Sequence, residues 1–123
     1  MNKSNELKID LSQFRGSSVI YKMGLFGTLY TEGIKYLADV GKCHWLITDV
    51  SVMGKTLMKE SHFITADFKR IADTKQDGPE AIITYSDGNE NILQKQAYGY
   101  TDFPMDTLRL FFVNNTLMLP TEY

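Results

Sequence analysis

The sequence predicts an α+β fold: two helices covering one face of an antiparallel meander sheet of about five strands. Three observations carry this reading. Between Thr31 and Gly54 apolar residues recur at helical spacing. Beyond about residue 61 they alternate with polar ones, as in a half-buried strand. Two tight-turn signals, Ser86-Asp87-Gly88-Asn89 and Asn114-Asn115, then divide the alternating region into hairpins.

The elements follow in order. Residues 1–13 are polar and read as a flexible arm, although the alternation of Leu7, Ile9 and Leu11 leaves an edge strand open. Residues 14–123 read as a single domain. Phe14-Arg15-Gly16-Ser17-Ser18 has the composition of a turn before Val19–Met23, and Gly24 and Gly27 punctuate the loop that follows. The first helix starts at Thr31, an N-cap residue, with Glu32 favourably placed in its first turn. Ile34, Leu37 and Ala38 form its buried stripe, and Gly41 stands where a C′ glycine belongs. The second runs from Cys43 to Met53 on Leu46, Ile47, Val50 and Met53, with Gly54 as its terminator and Trp45 between the helices. The β-branched run from Ile47 to Val52 keeps a strand open there. Ile64, Ala66 and Phe68 then mark the first sheet strand. Gly78-Pro79 breaks the chain before a strand from Ala81 to Tyr85. An Asp-Gly type I′ turn leads to a strand from Ile92 to Tyr98. Thr101-Asp102-Phe103-Pro104 reads as a corner; Leu108, Leu110 and Phe112 give the fourth strand, and Leu117–Leu119 closes the sheet.

Composition narrows the class. With 43% hydrophobic and 23% charged residues the chain is an ordinary globular domain rather than a disordered one. No apolar run approaches the roughly 20 residues needed to span a bilayer. The polar start, Met1 to Glu6, has no apolar core of a signal peptide. Cys43 is the single cysteine, so no internal disulfide forms and a reducing cytoplasm is the expected home. The net charge of −2 is unevenly spread. Ten Lys and Arg oppose seven Asp and Glu up to Arg70, whereas three oppose eight from Ile71 onwards. Two faces with different partners, or a mixed soluble surface, both fit this asymmetry.

Residues with chemical potential are few. Cys43, His44, Asp49 and His62 are the richest polar group. A zinc site needs ligands converging at about 2.0–2.3 Å, which adjacent Cys43 and His44 on one helix do not offer. Cys/His nucleophilic catalysis would need an oxyanion hole and an orienting group that no motif supplies. Asp87-Gly88-Asn89-Glu90-Asn91 fails as a calcium loop, because Ile92 and Tyr98 occupy the positions of the required glycine and bidentate glutamate. Gly24-Leu25-Phe26-Gly27 lacks the Lys-Ser/Thr of a phosphate loop. No metal, cofactor or catalytic residue is assigned. Tyr85, Tyr98, Tyr100 and Phe103 belong to the sheet region, where core packing or a protein interface is favoured over base stacking because the surroundings are acidic. A nucleic acid would be met by basic residues of the first half, including Lys35 and Lys42.

Two segments carry a resemblance: Tyr30-Thr31-Glu32-Gly33-Ile34-Lys35-Tyr36-Leu37-Ala38 followed by Trp45-Leu46-Ile47, and Tyr100-Thr101-Asp102-Phe103-Pro104 followed by Leu119-Pro120-Thr121-Glu122-Tyr123. Together they resemble an uncharacterised family of small bacterial proteins carried by phages, plasmids and conjugative elements. The resemblance implies a bacterial host cytoplasm and no catalytic residue. It also implies a non-enzymatic binding protein that antagonises host defence, as anti-CRISPR proteins do, by engaging an RNA-guided nuclease or its guide RNA. An acidic face of Asp87, Glu90 and Asp102 would enter a phosphate-binding channel; a basic face of Lys55, Lys59, Lys69 and Arg70 would hold RNA. The alternatives are an RNA- or DNA-binding accessory factor and an enzyme with a dispersed site.

Overall fold

A computed structural model describes residues 3–13, 20–23, 27–71, 80–99 and 101–123. The turn expected at 14–18, Gly24, the break at Gly78-Pro79 and Tyr100 lie outside these residues. The helices are α1 (Lys3–Leu11), α2 (Glu32–Val40) and α3 (His44–Leu57). The strands are β1 (Ile20–Lys22), β2 (Leu29–Thr31), β3 (Phe63–Arg70), β4 (Ala81–Ser86), β5 (Ile92–Tyr98), β6 (Thr107–Val113) and β7 (Thr116–Met118). They form one mixed sheet in the order β1-β2-β7-β6-β3-β4-β5, so the α+β class holds with seven described strands instead of about five.

The arrangement is only partly a meander. Strands β3, β4 and β5 follow one another as antiparallel neighbours. β6 then returns to the far side of β3, which gives the four-strand Greek-key order β6-β3-β4-β5. β2 lies parallel to β7. Its addition, with β1 beside it, accounts for the two extra strands; each is three residues long and too short to show alternation.

The connection from β5 to β6 crosses the shared ends of β3 and β4 and is pinned there. Glu80 accepts from the Thr101 amide at 2.8 Å. Arg70 donates to the Phe103 carbonyl, and its own amide bonds the Asp106 carbonyl at 2.8 Å. Phe103 then packs edge-on against Phe68, with ring centroids 5.1 Å apart.

Residues 3–11 form a helix rather than a loose arm or an edge strand. Leu7 and Leu11, four residues apart, lie on one helical face and are both buried. Tyr36 of α2 donates to the Asp10 carboxylate at 2.7 Å and ties α1 to α2. In α2 the expected cap is present: the Thr31 hydroxyl accepts from the Ile34 amide. Gly41 ends this helix with a φ of −78°, so positive φ is not its reason; an added Cβ would lie 2.7 Å from the Leu37 carbonyl oxygen.

Helix α3 does not stop at Gly54. That glycine is buried inside the helix because the Phe112 ring of β6 packs directly on it, 2.7 Å from where a Cβ would sit. Trp45 is not held between the helices; it meets Tyr98 of β5. The helix-side face of the sheet contributes Ile64, Ala66, Phe68, Ile83, Tyr85, Leu110, Phe112 and Leu117 to the core, each worth about 1–3 kcal/mol of burial if apolar and fully enclosed.

The turns differ in kind. Asn114 and Asn115 both have positive φ, 52° and 61°, as a two-residue type I′ hairpin requires. The Asp87 turn is longer than the expected type I′ pair, because residues 87–91 loop out between Ser86 and Ile92 with positive φ at Gly88 and Glu90.

Candidate functional site

Among the described residues, the helices leave the second face of the sheet uncovered along β3, β4, β5 and β6. Strand parity sets what stands there: the residues that alternate with those turned towards the helices. One cross-strand row reads Arg109-Asp67-Thr84-Lys95, and the next reads Phe111-Thr65-Ser86-Ile92. Together with Phe63, Gly88 and Glu90, these rows, apart from Lys95, line a concavity of about 600 Å³.

The concavity has a polar middle and an aromatic end. Arg109 holds Asp67 through two parallel bonds, Nε to Oδ1 at 2.7 Å and Nη2 to Oδ2 at 3.2 Å. That carboxylate pushes the Arg109 pKa still higher. Thr65 and Ser86 share a hydroxyl–hydroxyl bond. At the end, Phe63, Phe111 and Tyr123 form a three-ring cluster with centroids 4.9–5.6 Å apart. Tyr123 is 71% exposed and Ile92 58%, both large for apolar-bodied side chains. An apolar groove of about 330 Å³ between Leu11, Met105, Leu108 and Leu119 is also lined by Arg109.

The site residues named from sequence do not assemble as two faces. Asp87 and Glu90 share the β4–β5 turn, but Asp102 lies beyond the opposite end of β5, about 20 Å of strand away. Asp87 is also occupied: it accepts from the side chain of Asn91 at 2.8 Å and the Asn89 amide at 2.8 Å, which lower its pKa. Glu90 is exposed on the rim of the concavity. Among the basic residues, Lys55 and Lys59 sit near the start of β3, whereas Lys69 and Arg70 sit at its end. Lys69 points to the uncovered face; Arg70 is used at the Phe103 carbonyl and lies 3.5 Å from Asp106.

The cysteine–histidine group diverges as well. Cys43 is fully buried and donates to the Leu37 carbonyl, and burial pushes its thiol up to about 12. His44 is exposed, 3.3 Å from Asp39, while Asp49 accepts from the Tyr98 hydroxyl at 2.8 Å. No group of three or more metal-ligating side chains converges among the described residues. Tyr85 and Phe103 are core residues, as core packing anticipated, and Tyr98 is half-buried.

Phe63, Phe111, Thr84 and Arg109 were missed as site residues. Their signal is strand parity, odd-numbered in β3 and β6 and even-numbered in β4, which shows that they share a face but not that the face lacks a cover.

The two segments that carry the family resemblance meet in space. Glu122 reaches the start of α2, accepting from the Thr31 hydroxyl at 2.6 Å and the Gly33 amide at 3.1 Å. It also accepts from the Leu119 amide at 3.0 Å. A Cβ at Gly33 would lie 2.5 Å from the Leu119 side chain and 2.7 Å from the Glu122 carboxylate, so a larger residue would have to displace both. Glu122 thus locks the C-terminal segment to the helix, as a carboxylate at a helix N-terminus. The chain belongs to a family of unknown function, DUF6876, whose model matches residues 5–123. Comparison with curated proteins and with solved structures gave no match. No described helix is long and apolar enough to cross a membrane.

Proposed function

We propose that this member of the DUF6876 family is a non-enzymatic binding protein whose uncovered sheet face docks a macromolecular partner. One observation carries the reading: a sheet covered by helices on one side presents, on the other, a 600 Å³ concavity with an aromatic cluster at its end. Aromatic residues and arginine are the side chains that concentrate binding energy at protein interfaces, and Phe63, Phe111, Tyr123 and Arg109 stand together there. The residues weighed for catalysis have structural work instead: Cys43 is protonated in the core and Asp49 holds Tyr98.

The partner in this proposal is a host protein or ribonucleoprotein of a defence system, such as an RNA-guided nuclease, antagonised by a protein of mobile-element origin. The resemblance to phage- and plasmid-carried proteins supports it. The acidic and basic residues spread over separate ends favour the mixed-charge sheet face over a single-sign patch. A second reading, direct RNA binding on the same face, is favoured by Lys69, Lys95 and Arg109, which share that face with Phe63 and Phe111.

Affinity purification of the tagged protein from a bacterial host, with and without nuclease, tests both readings. A stoichiometric protein that survives nuclease treatment supports the antagonist. RNA alone, lost on digestion and with a binding constant that falls steeply with salt, supports the second reading. A substrate turned over by the purified protein would overturn both.

A further inference from the structure

The structure assigns a second binding site, independent of the uncovered face: a cation-binding notch between the start of α3 and the end of β5. Trp45 and Tyr98 form an L-shaped aromatic corner, with centroids 5.4 Å apart and planes at 62°. With Thr101 and Asp102 they line a hollow of about 280 Å³. The four side chains come from three segments, and Tyr98, Thr101 and Trp45 are each held by a contact of their own. Tyr98 is held by its hydroxyl, which donates to Asp49 at 2.8 Å. Thr101 is buried, its amide bound to Glu80 and its hydroxyl to the Phe103 amide. Trp45 leans on Tyr98 from the first turn of α3.

The chemistry of the walls selects the guest. Two aromatic faces at a steep angle attract a cation through their ring quadrupoles, and the Tyr98 hydroxyl, a donor that could serve an anion, is already given to Asp49. Asp102 supplies a full negative charge at the rim, is exposed, and pairs with no Lys or Arg among the described residues. The guest is therefore an organic cation of one guanidinium or alkylammonium group, delivered by an Arg or Lys side chain of a partner protein or by a free quaternary ammonium compound. A metal ion is disfavoured, because the notch has one carboxylate and too few oxygen donors for a hard cation.

The chain has a single tryptophan, so Trp45 emission reports on the notch alone. Intrinsic fluorescence is titrated with tetramethylammonium chloride, and separately with blocked tripeptides carrying one Arg or one Lys, against sodium chloride at matched ionic strength. A saturable change with a dissociation constant on the order of tens of millimolar is expected for an isolated cationic group. Asp102→Asn should weaken it about threefold, and Tyr98→Ala should remove saturation. Tyr98→Phe, which keeps the ring, should retain it and guards against misfolding in the alanine variant. Saturation by the peptides as well as the small cation identifies a side-chain guest; saturation by tetramethylammonium alone identifies a free one. A linear response equal to that of sodium chloride, or a saturable one unchanged by Asp102→Asn and Tyr98→Ala, overturns the proposal. None of these outcomes depends on the partner of the uncovered sheet face.

Discussion

Removing the carboxylate of Glu122 should loosen the whole fold, although the residue is next to last in the chain. Its two oxygens take donors that include Thr31 and Leu119 on Oε1 and Gly33 on Oε2. Hydrogen bonds to a charged acceptor contribute about 1.5–3 kcal/mol each before the cost of ordering, and the helix N-terminus adds roughly 0.3–1 kcal/mol. Water replaces part of this at a half-buried site, so Glu122→Ala should cost about 2–4 kcal/mol. Glu122→Gln keeps the shape and one acceptor oxygen but sets an NH2 group against one of the donors. It should cost about 1–2 kcal/mol. For a chain of this length each kcal/mol moves Tm by roughly 3–5 °C, so the alanine variant should melt about 10 °C lower. Thr31 both donates to Glu122 and caps Ile34, so Thr31→Ala with Glu122→Ala should cost less than the sum of the single changes. Thermal unfolding followed by circular dichroism measures the parent and the four variants, Thr31→Ala alone included. A Glu122→Ala protein melting within about 1 °C of the parent would refute the lock and with it this account of the two family segments.

Three further outcomes are expected. Gly54→Ala gains helix propensity but drives a methyl into the Phe112 ring, so it should destabilise by about 1–3 kcal/mol in urea titration; pairing it with Phe112→Leu should recover part of that. Cys43 should resist a thiol reagent at pH 8 in the native protein and react at once in denaturant, since the folded thiol titrates near 12 against an ordinary 9.0. The same shift has a sign in stability: the folded pKa is raised, so its contribution is complete below about pH 9 and is lost as pH climbs towards 12. The raised Tyr85 and Tyr98 hydroxyls act in the same direction above pH 10. The urea midpoint should therefore fall between pH 8 and pH 10.5, and a rise would contradict the buried, protonated assignments.

Much of the sheet was legible because period-two alternation is a local property. Ile64 to Phe68 and Leu108 to Phe112 announce themselves as strands, and Asn114-Asn115 announces its turn. The cap at Thr31 was legible for the same reason. What failed depended on contacts distant in sequence. β2 exists because β7 lies beside it, and Gly54 continues a helix because Phe112, far along the chain, needs the space. The helix at residues 3–11 was missed because Leu7 and Leu11, its described buried anchors, stand in a polar stretch. The site was legible only in part: residue parity groups Thr65 with Asp67, but which face of a sheet stays bare is decided by where the helices pack.

The most direct test of the central claim maps the partner's face with two variants of opposite placement. Phe111→Ala with Arg109→Ala strips the uncovered sheet face, while Lys59→Glu reverses an exposed charge just beyond α3. Both proteins, and the parent, are used to capture the stoichiometric partner from a bacterial host, and its binding to each is then measured by calorimetry. If the bare sheet face docks the partner, the double variant should bind at least about thirtyfold more weakly, while Lys59→Glu stays within about threefold. Undiminished binding by the double variant, together with loss in Lys59→Glu, would place the interface on the helical side and contradict the account.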